Sequence, residues 1–573
     1  IRRWLEANAA DEGPRVYGRL RFQSDRALAG PYKFDQLFIV NVDDPRREAK
    51  RITTDARDHR DVAVDPAGRW IYFAAPADPA IHPDRSKRDA IWRIPSDGGA
   101  PLPLVRLDDW TLRSPKPSRD GNLLAFIGQP IERRPFRNRE LGLVTLRGDE
   151  ASDPLWLTEE LDLSVWTFTW RPTESALIFN TARAGAFPLM VMGPGLLAPS
   201  SLVERVGRQP VGVHEFDAAA GVLVYAATTA ANPGTIRVKD ARGDRLAVDL
   251  HPWVENKDLS TPQERWIERP DGTRVQYWLM PPTNRRAGAR YPAVLQIHGG
   301  PIWMWGPGER TMWHEFQLLC SWGYAVVYAN PRGSAGSGEA HAEAIFQNWS
   351  EGPVGDVLAA LDHALLESWI DADRLAVTGG SYGGYLTVAA LTRDQRFAAA
   401  VAQRGVYDLE TFFGEATAFD MVEPHFGGFP WDPRTRPILE RESPFTEVQR
   451  IRTPLLIMHA DQDLTTGVSQ SEMLYRALKQ MGRPVEYVRY PESDHNLSRS
   501  GDPVLRMDRL ARTIAFFERF IENPRPAPRI KARVDRPPVN GTEKGRGTPE
   551  SAEESDGSGG KKPLDAGAPR GLE

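Results

Sequence analysis

The sequence has very little cysteine, no long apolar run and no strong excess of one charge. Cys320 is the single cysteine among 573 residues, so an internal disulfide is excluded, and no cluster of histidines and cysteines indicates a metal site. No apolar run approaches the roughly 18 residues of a membrane-spanning helix. The net charge of −5 at pH 7 argues against a general nucleic-acid binder. We therefore expect no bound metal or cofactor, no membrane span and no nucleic-acid partner.

What remains is the composition of a large globular protein. Hydrophobic residues make up 41% of the chain and charged residues 26%, which is ordinary usage, and the length allows two domains plus a tail. Residues 524–573 are rich in Pro, Gly, Ser, Glu and Lys. Such a segment buries too little apolar surface to offset its ordering entropy, so we predict a disordered tail. Cys320 lies in the apolar segment 316–322, which favours a packed core thiol.

The most informative stretch is Gly-Gly-Ser-Tyr-Gly at residues 379–383. A short apolar strand signal at 375–377 precedes it, and an apolar, helix-compatible segment at 385–391 follows it. A strand, a sharp turn and a helix are the context of the nucleophile elbow of α/β-hydrolases, which exposes the serine hydroxyl. The glycines around Ser381 have a steric purpose, because side chains there would collide with the neighbouring strand and helix. We therefore predict that Ser381 is a nucleophile.

A serine nucleophile needs a histidine base and a carboxylate that orients it, and both follow in the chain. Asp463 lies just beyond an apolar strand signal, 82 residues after Ser381, and His495 follows the next strand signal after a further 32 residues. Asp461 is the alternative carboxylate, and we favour Asp463 on its loop position. His459 lies within or at the tip of the apolar strand, so we interpret it as a structural histidine.

Acyl transfer also needs N–H donors for the oxyanion of the tetrahedral intermediate. The backbone amide of Tyr382, directly after the nucleophile, is one candidate. The other lies in the His-Gly-Gly turn that ends the apolar strand signal at 291–297, as in the His-Gly-Gly loops of lipases and esterases. There we choose Gly300, with Gly299 as the close alternative.

Several of these stretches together resemble the prolyl oligopeptidase family of serine peptidases, especially its acylaminoacyl-peptidase and dipeptidyl-peptidase branches. The likeness covers residues 258–523, with three departures from the usual pattern at Ala460, Thr466-Gly467 and Asp494. None removes a catalytic atom. The stretches that carry the resemblance are His-Gly-Gly-Pro at 298–301, Asn-Pro-Arg-Gly-Ser-Ala-Gly-Ser-Gly at 330–338, the elbow at 379–384 and Gln470-Ser471.

The first 250 residues show a different pattern, in which short strands recur around turns. Aromatic residues at equivalent strand positions, Phe73, Phe126, Phe179 and Tyr225, are spaced by 53, 53 and 46 residues. A period of this length with turn glycines is typical of β-propeller blades. We therefore predict a β-propeller at 1–250, in which four or five blades are readable, before an α/β-hydrolase domain with a doubly wound, mostly parallel sheet at 258–523.

The resemblance implies about seven blades, more than this chain supplies, and the sequence starts at Ile1 rather than at methionine. We interpret it as a fragment or processed chain whose propeller is incomplete at its N-terminus; an authentic shorter propeller is the alternative. The sequence suits a cytoplasmic protein, and equally a periplasmic or secreted one whose signal peptide has been removed. The sequence is compatible with a homo-oligomer and does not decide the oligomeric state.

The sequence predicts a serine peptidase that hydrolyses short peptides through an acyl-enzyme, with acylaminoacyl- and dipeptidyl-peptidase as the candidate types. A carboxylesterase with the same triad is one alternative. A propeller binding protein with a dead hydrolase domain is the other, but the triad is complete. The sequence does not identify the specificity pocket; aromatic candidates near the site in sequence are Trp303, Trp305, Phe412 and Phe413.

Overall fold

The structure is a computed structural model that describes residues 17–24, 34–41, 43, 49–172, 175–193 and 198–521. The tail predicted at 524–573 lies outside the described residues.

Between residues 60 and 249 the chain forms four successive antiparallel sheets. Each contains four strands that pair in chain order, and the second sheet carries one further short strand. Their strands are β3 (Arg60–Val64), β4 (Trp70–Pro76), β5 (Asp89–Pro95) and β6 (Leu102–Val105); β7 (Trp110–Pro117), β8 (Leu123–Pro130), β9 (Glu140–Arg147), β10 (Glu150–Ala151) and β11 (Leu155–Trp156); β12 (Val165–Trp170), β13 (Leu177–Thr181), β14 (Leu189–Met192) and β15 (Ser200–Val203); β18 (Gly212–Ala219), β19 (Val222–Thr228), β20 (Thr235–Asp240) and β21 (Gly243–Asp249). Two small antiparallel pairs complete this β-rich region: β1 (Phe38–Ile39) with β2 (Lys50–Arg51), and β16 (Arg205–Val206) with β17 (Gln209–Pro210).

The repeat seen in the sequence corresponds to these sheets. Phe73, Phe126, Phe179 and Tyr225 all lie on the second strand of their sheet, and all four side chains are buried. Apolar side chains on neighbouring sheets pack against one another, as where the first sheet meets the second. The aromatic spacing therefore marks the same core position in each sheet.

The second half of the described chain is built on one eight-stranded sheet. Its strand order is β22-β23-β25-β24-β26-β27-β28-β29, and the six strands from β24 to β29 are parallel. This confirms the predicted mostly parallel sheet. The strands are β22 (Gln263–Glu268), β23 (Arg274–Met280), β24 (Tyr291–Ile297), β25 (Ala325–Asn330), β26 (Ile370–Gly380), β27 (Ala399–Gln403), β28 (Leu455–Ala460) and β29 (Val485–Tyr490).

Helices connect the parallel strands and cover the sheet. They are α1 (Trp313–Ser321), α2 (Glu339–Glu343), α3 (Glu351–Ala364), α4 (Tyr382–Leu391), α5 (Leu409–Glu415), α6 (Val422–Phe426), α7 (Arg436–Glu442), α8 (Val468–Gln480), α9 (Leu497–Ser500) and α10 (Pro503–Ile521). Short 3-10 turns occupy Pro83–Arg85, Arg134–Phe136, Glu159–Leu161, Pro252–Asn256, Phe419–Met421 and Pro444–Arg450.

The central strands are buried throughout, as expected for a parallel sheet covered on both faces. One large apolar cluster includes Leu295, Val377 and Ile457, and a second includes their strand neighbours Val294, Ala376 and Leu456. Alternate side chains of one strand thus enter the two clusters, which occupy opposite faces of the sheet.

Cys320 belongs to the second cluster and is fully buried, as predicted for a core thiol. Burial raises the pKa of its thiol to about 12, which leaves it inert at neutral pH.

Candidate active site

Ser381 sits in the sharp turn between β26 and α4, with backbone angles φ 59° and ψ −124°. This conformation is rare for a residue with a side chain and marks stored backbone strain. A side-chain carbon on Gly379 would lie 2.4 Å from the Gly383 carbonyl oxygen, and one on Gly383 would lie 2.1 Å from the Ile297 carbonyl oxygen. The turn therefore requires both glycines, for the steric reason that the sequence indicated.

Three residues from separate strand ends meet at this turn. The Ser381 Oγ lies 3.1 Å from His495 Nε2, and His495 Nδ1 lies 2.8 Å from Asp463 Oδ2. Asp463 follows β28 and His495 follows β29, so the carboxyl ends of neighbouring parallel strands carry the side chains to one place. The structure thus brings together the serine, base and carboxylate that the sequence proposed.

The buried carboxylate of Asp463 has a donor for each oxygen. Oδ1 accepts the backbone N–H groups of Thr465 and Thr466, and Oδ2 accepts the Nδ1–H of His495. Burial alone would raise the pKa of Asp463, but the nearby imidazoles of His495 and His459 hold it well below its ordinary value. Asp463 is therefore ionised at neutral pH and holds the Nδ1–H tautomer of His495.

Asp461 has a different environment. Its carboxylate is partly exposed and pairs with Arg489, a residue of β29. Asp461 therefore takes part in a surface ion pair. Within this loop the structure places Asp463, not Asp461, at His495.

His495 is buried, which lowers the pKa of its imidazole from the ordinary value. Asp463 opposes this shift, whereas the nearby charges of Arg404 and Arg499 add to it. His495 is consequently neutral at pH 7 and can accept a proton from the Ser381 hydroxyl.

The candidate oxyanion donors lie beside the nucleophile. Tyr382 is the first residue of α4, and the amides of a first helical turn have no intrahelical acceptor. A side-chain carbon on Gly299 would lie 3.3 Å from Ser381 Cβ, so the His-Gly-Gly turn passes directly over the serine. Among the described residues, no hydrogen-bond acceptor binds the backbone N–H of Gly299 or Gly300.

Two polar contacts hold the His-Gly-Gly turn in place. The Nδ1 of buried His298 lies 2.7 Å from the Gly299 carbonyl oxygen, and its Nε2 lies 2.9 Å from Ser334 Oγ. Asn330 clamps the downstream chain at Trp305, donating to its carbonyl and accepting its N–H, both at 2.9 Å. The loop at 330–338 thus supports the loop that carries the oxyanion candidates.

Sequence reasoning used residues 330–338 only as a mark of resemblance and missed these contacts. The arginine of this loop has a structural partner as well: Arg332 donates two side-chain hydrogen bonds to the fully buried Asp356, of α3. The sequence alone does not show which carboxylate pairs with Arg332.

The segment after the His-Gly-Gly turn also contacts the β-rich region. Gly308 donates its N–H to the Gly185 carbonyl oxygen at 3.0 Å, and the Trp313 indole donates to the Ala230 carbonyl oxygen at 2.9 Å. The backbones approach so closely that a side-chain carbon on Gly306 would lie 2.1 Å from Gly185 Cα. The β-rich region therefore packs against the chain that leaves the oxyanion turn.

The aromatic residues suggested for a specificity pocket divide into two groups. Phe412 and Trp305 are buried in the apolar clusters, so they are core residues. Phe413 is partly exposed and packs edge-on against an exposed side chain, Trp431. Trp303 packs edge-on against Trp166 of the β-rich region.

Two negative findings apply to the described part of the chain. There, no group of three or more His, Cys, Asp or Glu side chains is arranged to hold a metal ion. Over the same residues, every helix is too short or too polar to cross a membrane.

The chain is similar in sequence to a known family and to several known proteins. The family model described as the prolyl oligopeptidase family matches residues 310–524. The chain is 38% identical over 280 residues to the uncharacterized peptidase YuxL of Bacillus subtilis, covering 47% of this chain and 40% of that protein. It is 24% identical over 455 residues to dipeptidyl-peptidase 5 of Aspergillus fumigatus, covering 76% of this chain and 62% of the relative. The chain therefore spans less than two thirds of the length of these relatives.

A solved structure extends the likeness to the β-rich region. The acylaminoacyl peptidase of Pyrococcus horikoshii matches with a TM-score of 0.74 at 22% identity, over 90% of this chain and 78% of that chain. At this identity the match shows the fold: an α/β-hydrolase domain preceded by a β-rich domain. The family resemblance noted from the motifs is confirmed.

Proposed function

We propose that the protein is a serine peptidase that hydrolyses short peptides, since residues 310–524 match the model of the prolyl oligopeptidase family. The observation that carries the proposal is the continuous contact from Ser381 Oγ through His495 to Asp463, at 3.1 and 2.8 Å. These are the hydrogen-bond distances that a nucleophile, its base and the orienting carboxylate need.

The reaction would proceed through an acyl-enzyme. Ser381 Oγ attacks the peptide carbonyl carbon while His495 Nε2 takes the hydroxyl proton, and the amides of Tyr382 and Gly300, or Gly299, hold the resulting oxyanion. His495 then gives its proton to the amine as the C–N bond breaks, which leaves an ester on Ser381. Water attacks this ester while His495 takes its proton, and His495 then gives that proton to Ser381 Oγ as the ester bond breaks and the acid leaves.

A fluorophosphonate probe tests the nucleophile, since it forms a covalent adduct only with an activated serine. We expect one adduct, located at Ser381 by peptide mass spectrometry and lost in Ser381→Ala. An unlabelled but folded wild-type protein would overturn the proposal and would leave a binding role for the β-rich region.

Peptide and ester hydrolysis can be separated with a matched pair of substrates. An acyl-phenylalanine anilide and the corresponding methyl ester present the same acyl group with a poor and a good leaving group. A peptidase must protonate the poor leaving group, so we expect turnover of both. Turnover of the ester alone would identify a carboxylesterase.

We further propose that the four sheets are propeller blades and that the domains span residues 1–250 and 258–523. Their equal strand order and the equivalent positions of Phe73, Phe126, Phe179 and Tyr225 support this. An experimental structure in which the sheets do not surround a common axis would overturn it.

This architecture should restrict the enzyme to substrates of limited size, since a propeller over the strand ends would leave only a narrow entrance to the active site. The test compares a short peptide with an unstructured long protein that carries the same cleavage sequence. We expect the short peptide to be cut much faster, whereas comparable rates would argue against gating.

The names of the relatives suggest two types of short substrate, those with a free amino terminus and those with an acylated one. Dipeptide and N-acetyl anilides of the same residue distinguish them. A requirement for the free amine would indicate a dipeptidyl-peptidase, and a requirement for the acyl group an acylaminoacyl-peptidase. Equal turnover would contradict both.

A further inference from the structure

Asp463 faces two imidazole rings, of which the triad uses one. His495 Nδ1 lies 2.8 Å from Asp463 Oδ2, and the Nε2 of His459 lies 3.3 Å from the same oxygen. His459 is the fifth residue of β28, and the side chains of both His459 and Asp463 are fully buried. A second imidazole at this distance has no part in the proton transfers described above.

The hydrogen-bond partner of Nδ1 determines which tautomer His459 adopts. Ser471 Oγ, at the start of α8, lies 2.7 Å from His459 Nδ1. If Ser471 donates to Nδ1, the proton of the neutral ring is on Nε2 and points to the carboxylate. The other tautomer would place the Nε2 lone pair against an anionic oxygen, so electrostatics favours the first.

The contact from Nε2 is long and bent rather than a full hydrogen bond, since this buried nitrogen has no well-aligned acceptor. Hydrogen bonds around a catalytic group are often loose without substrate and tighten in the reacting complex. An N–H beside Oδ2 opposes rotation of the carboxylate away from His495. It also reduces the effect of the negative charge of Asp463 on His495.

We propose that His459 is a positioning residue, which holds the Asp463 carboxylate in line with His495 and is itself held by Ser471. The proposal rests on the proposed acyl-transfer chemistry, because it concerns the same carboxylate. His459 touches neither substrate nor reacting atoms, so its effect reaches Ser381 only through Asp463 and His495.

Two substitutions of His459 separate this role from mere packing. The amide of glutamine reaches about as far as Nε2 and can donate to Asp463. The amide of asparagine reaches only about as far as Nδ1 and can bond Ser471. If the contact with Asp463 matters, His459→Gln should retain most of the wild-type rate, and His459→Asn should lose about ten- to a hundredfold, by analogy with the loss of hydrogen-bonding partners around metal-binding side chains.

The rate to measure is the second-order rate constant of fluorophosphonate labelling of Ser381, which needs no known peptide substrate. His363→Gln is the control, because His363 also bonds a hydroxyl, that of Tyr277 at 2.7 Å, but lies at the end of α3, which leads into the start of β26, whereas Ser381 follows the end of that strand. We expect this control to label like the wild type. Melting temperatures of all variants verify that they are folded.

The pH dependence of labelling supplies a readout that packing would not change. The charged groups facing His495 are Asp463, Arg404 and Arg499. Removal of the His459 N–H leaves more of the Asp463 charge to stabilise the His495 imidazolium, so the acid limb should move to higher pH in His459→Asn and stay in place in His459→Gln.

Ser471→Ala provides an independent variant if the histidine variants fail to fold. It should slow labelling in the wild-type background and have no effect in His459→Gln, since the glutamine amide needs no tautomer. Equal labelling rates for the Asn and Gln variants, or a faster Asn variant, would overturn the inference. A wild-type protein that is not labelled at Ser381 would overturn the proposed function as well, so the two failures are distinguishable.

Discussion

The β-rich and α/β regions bury apolar residues in different ways. In the β-rich region the core is divided into separate clusters, such as the one between the first two sheets and the one between the last two. In the α/β region two large clusters cover the opposite faces of one sheet. The first arrangement repeats a local unit, whereas the second joins distant parts of the chain.

This difference explains where the chemistry can lie. In the α/β region, residues 299, 381, 463 and 495 meet because parallel strands end at one edge of the sheet. The described part of the β-rich region has no such convergence. It contacts the surroundings of the site where Gly185 and Ala230 pack on the segment from Gly306 to Trp313, and where Trp166 packs on Trp303. Small changes at the strand ends of the α/β region should therefore abolish activity, whereas comparable changes in the β-rich region should leave it intact.

The largest difference is expected between two serines. Ser381→Ala removes the nucleophile and should lower kcat by about a millionfold, as for other triad serines, with little change in substrate binding. Ser118→Ala removes a buried hydroxyl that bonds Asp120 in the β-rich region, and kcat should stay close to wild type. Steady-state kinetics of both variants measures the contrast. Peptide hydrolysis by folded Ser381→Ala would refute the assignment of the nucleophile.

Two aspartates of one loop sharpen the comparison within the α/β region. Asp463→Asn can no longer hold the Nδ1–H tautomer of His495, and kcat should fall about ten thousandfold. Asp461→Asn only weakens a surface ion pair with Arg489, which contributes little. If Asp461→Asn is the damaging change, the loop carries a different carboxylate to the histidine in solution.

The sequence predicted these triad residues because each has a local signature. The elbow needs glycines at fixed positions around Ser381, and Asp463 and His495 each follow a strand in the order that the fold requires. The same logic located the His-Gly-Gly turn but did not decide between Gly299 and Gly300, since neither amide N–H has an acceptor among the described residues.

Contacts between distant segments could not be predicted in the same way. The approach of His459 to Asp463 depends on how α8 packs on β28, and the clamp of Asn330 on Trp305 depends on the path of a long loop. Phe412 and Phe413 are neighbours in sequence, yet only the first is fully buried. Which of them faces the core is set by the packing of a short helix, and no sequence period reveals it.

A single substitution, at Glu140, tests whether carboxyl groups with raised pKa values mark function. Burial raises the pKa of Glu140 in the β-rich region and of Glu415 beside α8 to about 7 in both cases. A raised carboxyl pKa means that the folded state binds the proton more tightly, so this stability is present below about pH 4.5 and is lost as the pH rises through 7. Buried carboxyl groups with the same shift thus occur in both regions, which makes the shift a poor marker of catalysis.

Glu140→Gln should remove this pH dependence while retaining an acceptor for the Thr158 hydroxyl. At pH 8 the variant should be more stable than wild type by up to about 3 kcal/mol, since one pKa unit corresponds to about 1.4 kcal/mol. At pH 4 the two proteins should unfold alike. Urea denaturation at both pH values measures this, and fluorophosphonate labelling should be unaffected. A variant that is less stable at pH 8 would show that the carboxylate is stabilised by ionisation.

The smallest expected effect concerns the acid limb of activity. Because burial lowers the pKa of His495, the limb should lie below the ordinary histidine value of about 6.5. The exposed Arg499 contributes to this shift, so Arg499→Gln should raise the limb by a few tenths of a pH unit at low salt, and by less at high salt as screening increases. Arg242→Gln removes the same charge from an exposed ion pair of the β-rich region and should leave the limb in place. Equal shifts in the two variants would mean that net charge, rather than position near His495, sets the effect. A wild-type limb at or above 6.5 would mean that the attraction of Asp463 for the imidazolium exceeds the cost of its burial.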